Sequence, residues 1–296
     1  MPGLITESFE LPNNISQGIF KKAQTGSALA RLSGSKPQKF GTHQAWVLTG
    51  EPRAEFVGEA AAASPTPTTY APKPINPLKA QVTVRYSEEV RMADEDVQIG
   101  VLQDMGDNCG IALGRALDLA AIHKINPLTG VTSSLIDKGM IDCDHSVVLA
   151  NGKYDELVEA GASAIIASGY ANTGIAMDPA LSFGIATQRD GDSKHLYPGI
   201  GFGQGLTSFQ GINTAVSDTV SGSKELAVKG NLIGVIGQFD AFRWGVQRAI
   251  NVELVEYGDP DGLGDLKRMG QIALKATIIY GIGIMADDAF CKLMKA

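Results

Sequence analysis

Two serines stand three residues before a lysine in glycine-containing phrases, Ser33-Gly34-Ser35-Lys36 and Ser221-Gly222-Ser223-Lys224. In an acyl-transfer enzyme that spacing lets lysine chemistry activate the serine hydroxyl, but it works beside partner motifs that neither copy has here. Gly199, Gly201, Gly203 and Gly205 alternate in one loop, yet no Gly-Lys-Ser/Thr ending follows to hold a phosphate. Asp190, Asp192 and His195 offer hard and imidazole ligands. A calcium loop opening at Asp190 needs a glutamate at its twelfth position, where Gly201 stands. Cys143-Asp144-His145 has no second Cys/His pair at zinc spacing, and His43 and His123 stand alone. No nucleophile, base and acid converge. The reading is therefore of a structural protein, not an enzyme, with no catalytic, cofactor-binding or metal-ligating residue assigned.

Composition narrows the class. The 296 residues are 44% hydrophobic and 19% charged, within the range of soluble globular proteins. A formal net charge of -7 argues against a surface that coats nucleic acid, which is normally basic. An enclosing shell need not grip its contents, so the acidic balance does not exclude one. Cys109, Cys143 and Cys291 are odd in number and far apart, which fits a reducing cytoplasm better than a disulfide framework. Met1-Pro2-Gly3-Leu4 does not open a signal peptide, and no apolar run approaches the roughly 20 residues that span a bilayer. No membrane partner is expected.

The elements that would carry such a protein are uneven along the chain. Residues 1–41 read as an arm detached from any core, with a glycine-weakened amphipathic helix from Ile15 to Leu32 that needs a surface to lie on. His43 to Thr49 reads as a strand. The stretch from Glu51 to Lys79 holds Pro65, Pro67, Pro72, Pro74 and Pro77, which predicts a long two-stranded excursion, 53–59 out and 78–86 back. From Asp94 to Lys124 apolar residues recur at helical spacing. Gly106, Gly110 and Gly114 stack on one face of that helix and suggest a bend or the close approach of another backbone.

The second half alternates. Helices are predicted over 154–167 and from Asp178-Pro179 to Thr187. Strands are predicted at 174–177, 211–216 and 232–236. Two long β-type runs, 243–257 and 269–280, flank the polar turn Gly258–Arg268. A last strand, 282–285, leads through Asp287-Asp288-Ala289-Phe290 into an expected short helix.

This order of elements resembles the major capsid proteins of tailed bacteriophages, built on the Hong Kong 97 fold that encapsulin shells share. The phrases that carry the resemblance occur in family order. They are Pro52-Arg53-Ala54-Glu55-Phe56-Val57-Gly58-Glu59, Tyr86-Ser87-Glu88-Glu89-Val90, Asp118-Leu119-Ala120-Ala121 and Met177-Asp178-Pro179. Further on stand Gln188-Arg189-Asp190-Gly191-Asp192, Leu196-Tyr197-Pro198, Phe209-Gln210-Gly211-Ile212, Ile236-Gly237-Gln238-Phe239-Asp240 and Ala286-Asp287-Asp288-Ala289-Phe290.

The resemblance implies an α+β fold with N-arm, extended loop, spine helix, peripheral domain and axial domain. The N-arm would be 1–41, a strand and the extended loop 42–86, and the spine helix with the first part of the peripheral domain 87–147. The axial domain would span 148–240, the second part of the peripheral domain 241–277, and a C-terminal return to the axial domain 278–296. It also implies self-association into hexameric and pentameric capsomers of an icosahedral shell around double-stranded DNA. That DNA would be contacted weakly and non-specifically, in a virion made in the bacterial host cytoplasm. Since the chain begins almost at the N-arm, a separate scaffold protein is expected, and the resemblance implies portal and decoration proteins as further partners. Some relatives cross-link a loop lysine to an asparagine with the help of a glutamate. Lys73 or Lys79 could serve as the lysine, but Gly258–Arg268 holds neither Asn nor Glu. Gathered around a threefold axis, Asp259, Asp261 and Asp265 of one copy are expected to face Lys267 and Arg268 of the next. An encapsulin-type compartment, and a small α/β enzyme using the Gly199–Gly205 loop, are the alternative readings.

Overall fold

The computed structural model describes residues 21–23, 26–48, 54–59, 62, 64–65, 69–92, 95–150, 152–201 and 206–296. The fold has two sheets, and one long helix packs on the first of them. In chain order the elements are α1 (Ala28–Leu32), β1 (His43–Leu48), β2 (Tyr70–Ser87), α2 (Glu95–His123), β3 (His145–Val148), α3 (Tyr154–Ala167), β4 (Gly174–Met177) and α4 (Pro179–Thr187). They continue with β5 (Ser208–Phe209), β6 (Ile212–Val216), β7 (Leu232–Gly237), β8 (Phe242–Val255), β9 (Gln271–Ile284) and β10 (Phe290–Met294). One sheet has the order β1-β2-β9-β8, all antiparallel; the other is mixed, with the order β3-β10-β7-β4-β6-β5.

Strand β2 holds Pro72, Pro74 and Pro77 within 18 residues, and its pairing explains how it can. A proline has no N–H, so its nitrogen must face an unpaired side of the strand. β2 pairs with β1 through Ile75 and with β9 from Asn76 onward, on opposite sides. Pro72 and Pro74 share one parity and Pro77 has the other. The open side of β2 switches at the same place, so all three prolines face it. The expected excursion is therefore real but differently built: its outgoing strand is β1, residues 54–59 form no strand, and the return starts at Tyr70. Arg53 lies outside the described residues.

Helix α2 has 29 residues, about 43 Å at roughly 1.5 Å per residue. Met105, Cys109, Leu113, Leu117 and Ala121 form its buried stripe at every fourth position. That stripe packs on Val82, Val84 and Tyr86 of β2 and on Leu274, Ala276, Ile278 and Tyr280 of β9. Tyr280 Oη donates to the Leu113 carbonyl at 3.2 Å, fixing the helix against the sheet. A second core lies in the mixed sheet, where Ile175, Met177, Ile236 and Leu293 meet Leu157 and Ile165 of α3 and Leu181 and Ile185 of α4. Helix α4 starts as its sequence predicts: Pro179 occupies the first turn and Asp178 accepts from the Ala180 N–H at 2.8 Å.

Two expectations are corrected. The C-terminal segment is a strand and not a helix, because Phe290, Cys291 and Leu293 are wholly buried between β3 and β7. Asp287, read as a helix start, instead binds Lys73 at 3.4 Å and Lys138 at 2.6 Å. The expected strand 282–285 is the continuation of β9. Nor is the arm detached, where it is described: Ala23, Ala28 and Leu29 belong to the main core. The start of the expected arm helix, 15–20, lies outside the described residues.

The arm runs in a channel cut by glycines on three elements. A Cβ on Gly114 of α2 would meet the Ala23 carbonyl oxygen at 2.3 Å, which is the close backbone approach predicted for that helix face. A Cβ on Gly245 of β8 would meet the Lys36 carbonyl oxygen at 1.9 Å, and one on Gly281 of β9 would meet Gln38 Oε1 at 1.9 Å. Polar bonds line the same path. Trp244 Nε1 donates to Ser33 O at 2.8 Å, the Lys36 N–H to Trp244 O at 2.9 Å, and the Gly41 N–H to Gln247 Oε1 at 3.0 Å. Gly245→Ala should therefore push the arm out of its channel. The expected cost is about 1–3 kcal/mol in urea unfolding, with faster tryptic cleavage after Lys39. Gly199→Ala, with open space around its Cβ, should change neither.

Candidate functional site

The last nine residues of α2, 115–123, are apolar apart from Arg115, Asp118 and His123, and Asp118 is completely buried. Four donors from two distant segments converge on its carboxylate. Ser27 Oγ donates to Oδ1 at 2.5 Å, and the N–H groups of Ala28 and Leu29 reach Oδ2 and Oδ1 at 2.8 and 3.2 Å. Thr219 Oγ1 donates to Oδ2 at 2.7 Å. The Ala28 and Leu29 N–H groups are free at the start of α1, so Asp118 caps that helix from outside while Ser27 caps it from within, accepting from Ala30 at 3.0 Å.

Burial pushes the Asp118 carboxyl above the usual carboxylate range, against the pull of its hydrogen bonds. Thr219 Oγ1 also lies 2.8 Å from Ser217 Oγ, so its hydroxyl can turn toward Ser217 and accept from a protonated Asp118. One turn earlier on α2, Arg115 binds Asp218 at 2.6 Å and Glu225, and Lys224 binds Asp218 at 2.6 Å. His123 Nε2 lies 2.9 Å from Val220 O. The helix thus holds the arm on one side and the segment 217–225 on the other.

The sequence-level chemical candidates come apart. Ser33 is buried, with Oγ donating to Phe242 O at 3.0 Å, while Lys36 is exposed. Ser221 Oγ donates to Asp218 O, and Lys224 is held by the Asp218 carboxylate. Asp190 Oδ1 accepts from the Asp192 and Lys194 N–H groups at 2.9 and 3.0 Å, an ordinary aspartate turn. Burial raises the Cys143 thiol to about 12, and His145 Nε2 lies 2.8 Å from Ser168 Oγ. His43 Nε2 lies 2.5 Å from Lys39 O. Among the described residues no group of three His, Cys, Asp or Glu side chains could hold a metal. In the glycine loop, residues 202–205 lie outside the described residues.

The charged turn is held to β2. Arg85 of β2 reaches across and donates Nε to Asp261 at 2.8 and 3.0 Å and Nη2 to Asp259 at 3.1 Å and to Gly264 O at 2.9 Å. The hydrogen bond from Arg85 draws the Asp261 carboxyl below its ordinary range. Asp265 accepts from the Arg268 N–H at 2.9 Å, and Lys267 pairs with Glu88 at 3.3 Å. Asp259 and Asp261 are thus held by Arg85 inside the subunit. Leu263, Met269 and Tyr257 are the exposed apolar residues of the same tip.

Exposed apolar surface also concentrates on the β1–β2 hairpin, whose two faces differ. Ala45, Val47 and Ile75 pack against Met285 of the same chain. On the opposite face the register sets Trp46 beside Pro72 and Leu48 beside Tyr70, and Trp46 and Tyr70 are 65% and 56% exposed. Such a patch on a folded chain marks an interaction site.

A large apolar hairpin face, an arm clasped by a helix, and candidate nucleophiles held in structural bonds define a subunit built for association. The comparisons give that class its family. The phage capsid family model matches residues 7–294. A solved chain from Mycobacterium phage Ogopogo is 43% identical, covers 91% of this chain and 92% of its own, and superposes with a TM-score of 0.81. One from Gordonia phage Cozz is 29% identical over 91% of this chain and 86% of its own, with a TM-score of 0.79. The capsid of a native GTA particle shares the fold at 12% identity, covering 100% of this chain and 95% of its own, with a TM-score of 0.65. No curated protein matches. The chain belongs to the phage capsid family: it is a major capsid protein of the tailed-phage type, a structural part of the virion shell, with the Hong Kong 97 fold.

Sequence reading named Asp118 only as part of a phrase and missed Arg85, Ser27 and Thr219 altogether. A lone carboxylate inside Leu117-Asp118-Leu119-Ala120-Ala121-Ile122 was the available signal. Asp118→Ala should cost about 3–5 kcal/mol in urea unfolding of unassembled subunits, because buried donors lose their acceptor. Asp118→Asn should cost less, keeping one acceptor oxygen. The folded state holds the Asp118 proton more tightly than the unfolded state does. Its contribution is therefore fullest below the ordinary carboxylate pKa and declines as pH rises through the folded value. The advantage of wild type over Asp118→Asn should accordingly be larger at pH 4 than at pH 8. An advantage that grows with pH would contradict this assignment.

Proposed function

We propose that this chain assembles with copies of itself into hexameric and pentameric capsomers of an icosahedral shell that encloses phage double-stranded DNA. The observation that carries the reading is the two-faced hairpin. Its inner face is satisfied by Met285, while Trp46, Leu48 and Tyr70 have no cover among the described residues. A second copy is the natural cover in a shell of identical subunits. In this reading β1, β2 and residues 54–65 are the extended loop, α2 with β8 and β9 is the peripheral domain, and the mixed sheet with α3 and α4 is the axial domain. Assembly takes place in the host cytoplasm with separate scaffold, portal and decoration proteins. DNA is held inside by enclosure and weak contacts, and the protein carries no enzymatic step.

Trp46→Glu should give a soluble, folded subunit whose shell yield falls at least tenfold, read by sedimentation and negative-stain microscopy. Shells of normal yield would remove the hairpin face from assembly, and particles holding a cargo protein in place of DNA would point to an encapsulin. Mature shells should also dissolve to single subunits in hot detergent, since Gly258–Arg268 offers no Asn acceptor and Lys73 is engaged by Asp287. A ladder of covalent multimers on a denaturing gel would refute that expectation.

A further inference from the structure

The β1-β2-β9-β8 sheet has one face on α2 and one face turned away from it. Strand register identifies the residues of the second face. Ile279 lies between Lys79 and Arg248, Thr277 between Gln81 and Asn251, and Lys275 between Thr83 and Glu253. These alternate with Leu274, Ala276, Ile278 and Tyr280, which are buried against α2. The arm crosses the same open face where Gly245 and Gly281 make room for Lys36 and Gln38, and it brings the exposed Lys36 and Lys39.

The face therefore gathers Lys36, Lys39, Lys79, Arg248 and Lys275 around Glu253, and on its next rung, where Arg85 stands beside Ala273 and Val255, Asp259 and Asp261 neutralise Arg85. Glu253 accepts from Asn251 at 2.6 Å. None of the five cations has a side-chain ion pair or hydrogen bond among the described residues. Several other cations are paired with acids: Arg85 with Asp259 and Asp261, Arg115 with Asp218 and Glu225, Lys73 and Lys138 with Asp287. In a chain whose net charge is -7, this clustering of cations on one face runs against the overall balance.

The chemistry of the face selects among partners. A stable protein interface needs a desolvated apolar centre, and among these register-placed positions only Ile279 is a large apolar residue. Cations on adjacent strands and along the strands, separated by Gln, Thr and Asn, suit a repeating anion that is contacted without base readout. We propose that the open face of this sheet, with the arm segment 36–39, is the subunit's contact for the phosphate backbone of duplex DNA. The proposal rests on the reading that the shell encloses DNA, and it gives the weak, non-specific contact a place.

The test uses full-length subunits before assembly and a fluorescent duplex of random sequence, with binding followed from 50 to 200 mM NaCl. Wild type should bind with affinity falling steeply in salt. Lys79→Ala/Arg248→Ala/Lys275→Ala should bind at least tenfold more weakly at 50 mM. Its log–log salt slope should be shallower by roughly 2–3, at about 0.9 per phosphate contact. Lys153→Ala/Lys229→Ala/Lys295→Ala, three exposed lysines outside this face, should match wild type. No wild-type binding at 50 mM, an unchanged triple variant, or equal loss in the control set would each overturn the proposal. Shell yield is scored in parallel. A face variant that binds duplex normally but fails to assemble would make the face a contact between copies, overturning the DNA assignment while leaving the shell reading intact.

Discussion

A carboxylate with no exposed surface, placed in the apolar end of a long helix, is costly unless donors surround it. Asp118 has four, and they come from the arm and from the segment after β6. The constraint acts in both directions. The helix cannot bury Asp118 in this form unless Ser27, Ala28 and Leu29 are docked, and the five-residue α1 is too short to be stable without an external partner for its first N–H groups. The arm, the spine helix and the 217–219 turn therefore close together. Where it is described, the arm is part of the folded subunit through residue 41.

The other polar ties follow the same arrangement at lower stakes. Arg115 and His123 extend the grip of α2 on 217–225, and Arg85 holds the tip of the β8–β9 hairpin to β2. Arg85 is only partly exposed, and its fork meets both acids and a carbonyl, a geometry that exceeds what a single surface ion pair provides. These links tie together segments far apart in sequence, and they leave the hairpin face, the tip's apolar residues and the open face of the long sheet for contacts beyond the subunit.

Where local physics decides, the chain was readable. The span of α3, the Asp178-Pro179 opening of α4, the buried strand β4 and the long β8–β9 pair all follow from periodicity and capping. The errors lie where pairing is non-local. Phe290 to Met294 is five residues long, and its apolar run suits a helix or a strand equally until β3 and β7 flank it. Proline spacing signalled an excursion, but only the change of partner at Ile75 and Asn76 reveals why Pro72 and Pro74 share a parity that Pro77 does not. The donors to Asp118 lie about 90 and 101 positions away in sequence, beyond any local pattern.

Net charge misleads for the same reason. A total of -7 averages over acids that are internally paired, such as Asp218, Asp259, Asp261 and Asp287, and so says little about what a particular face presents. Screening makes the local arrangement decisive: at physiological salt the Debye length is about 8 Å, shorter than the distance from one side of a subunit to the other. A ligand at the open sheet face therefore responds mainly to Lys79, Arg248, Lys275 and the arm lysines, and hardly to acids across the molecule. An acidic chain can in this way carry one cationic face without contradiction. Contacts of that kind, few per subunit and steep in salt, suit a container that must hold its contents and later release them.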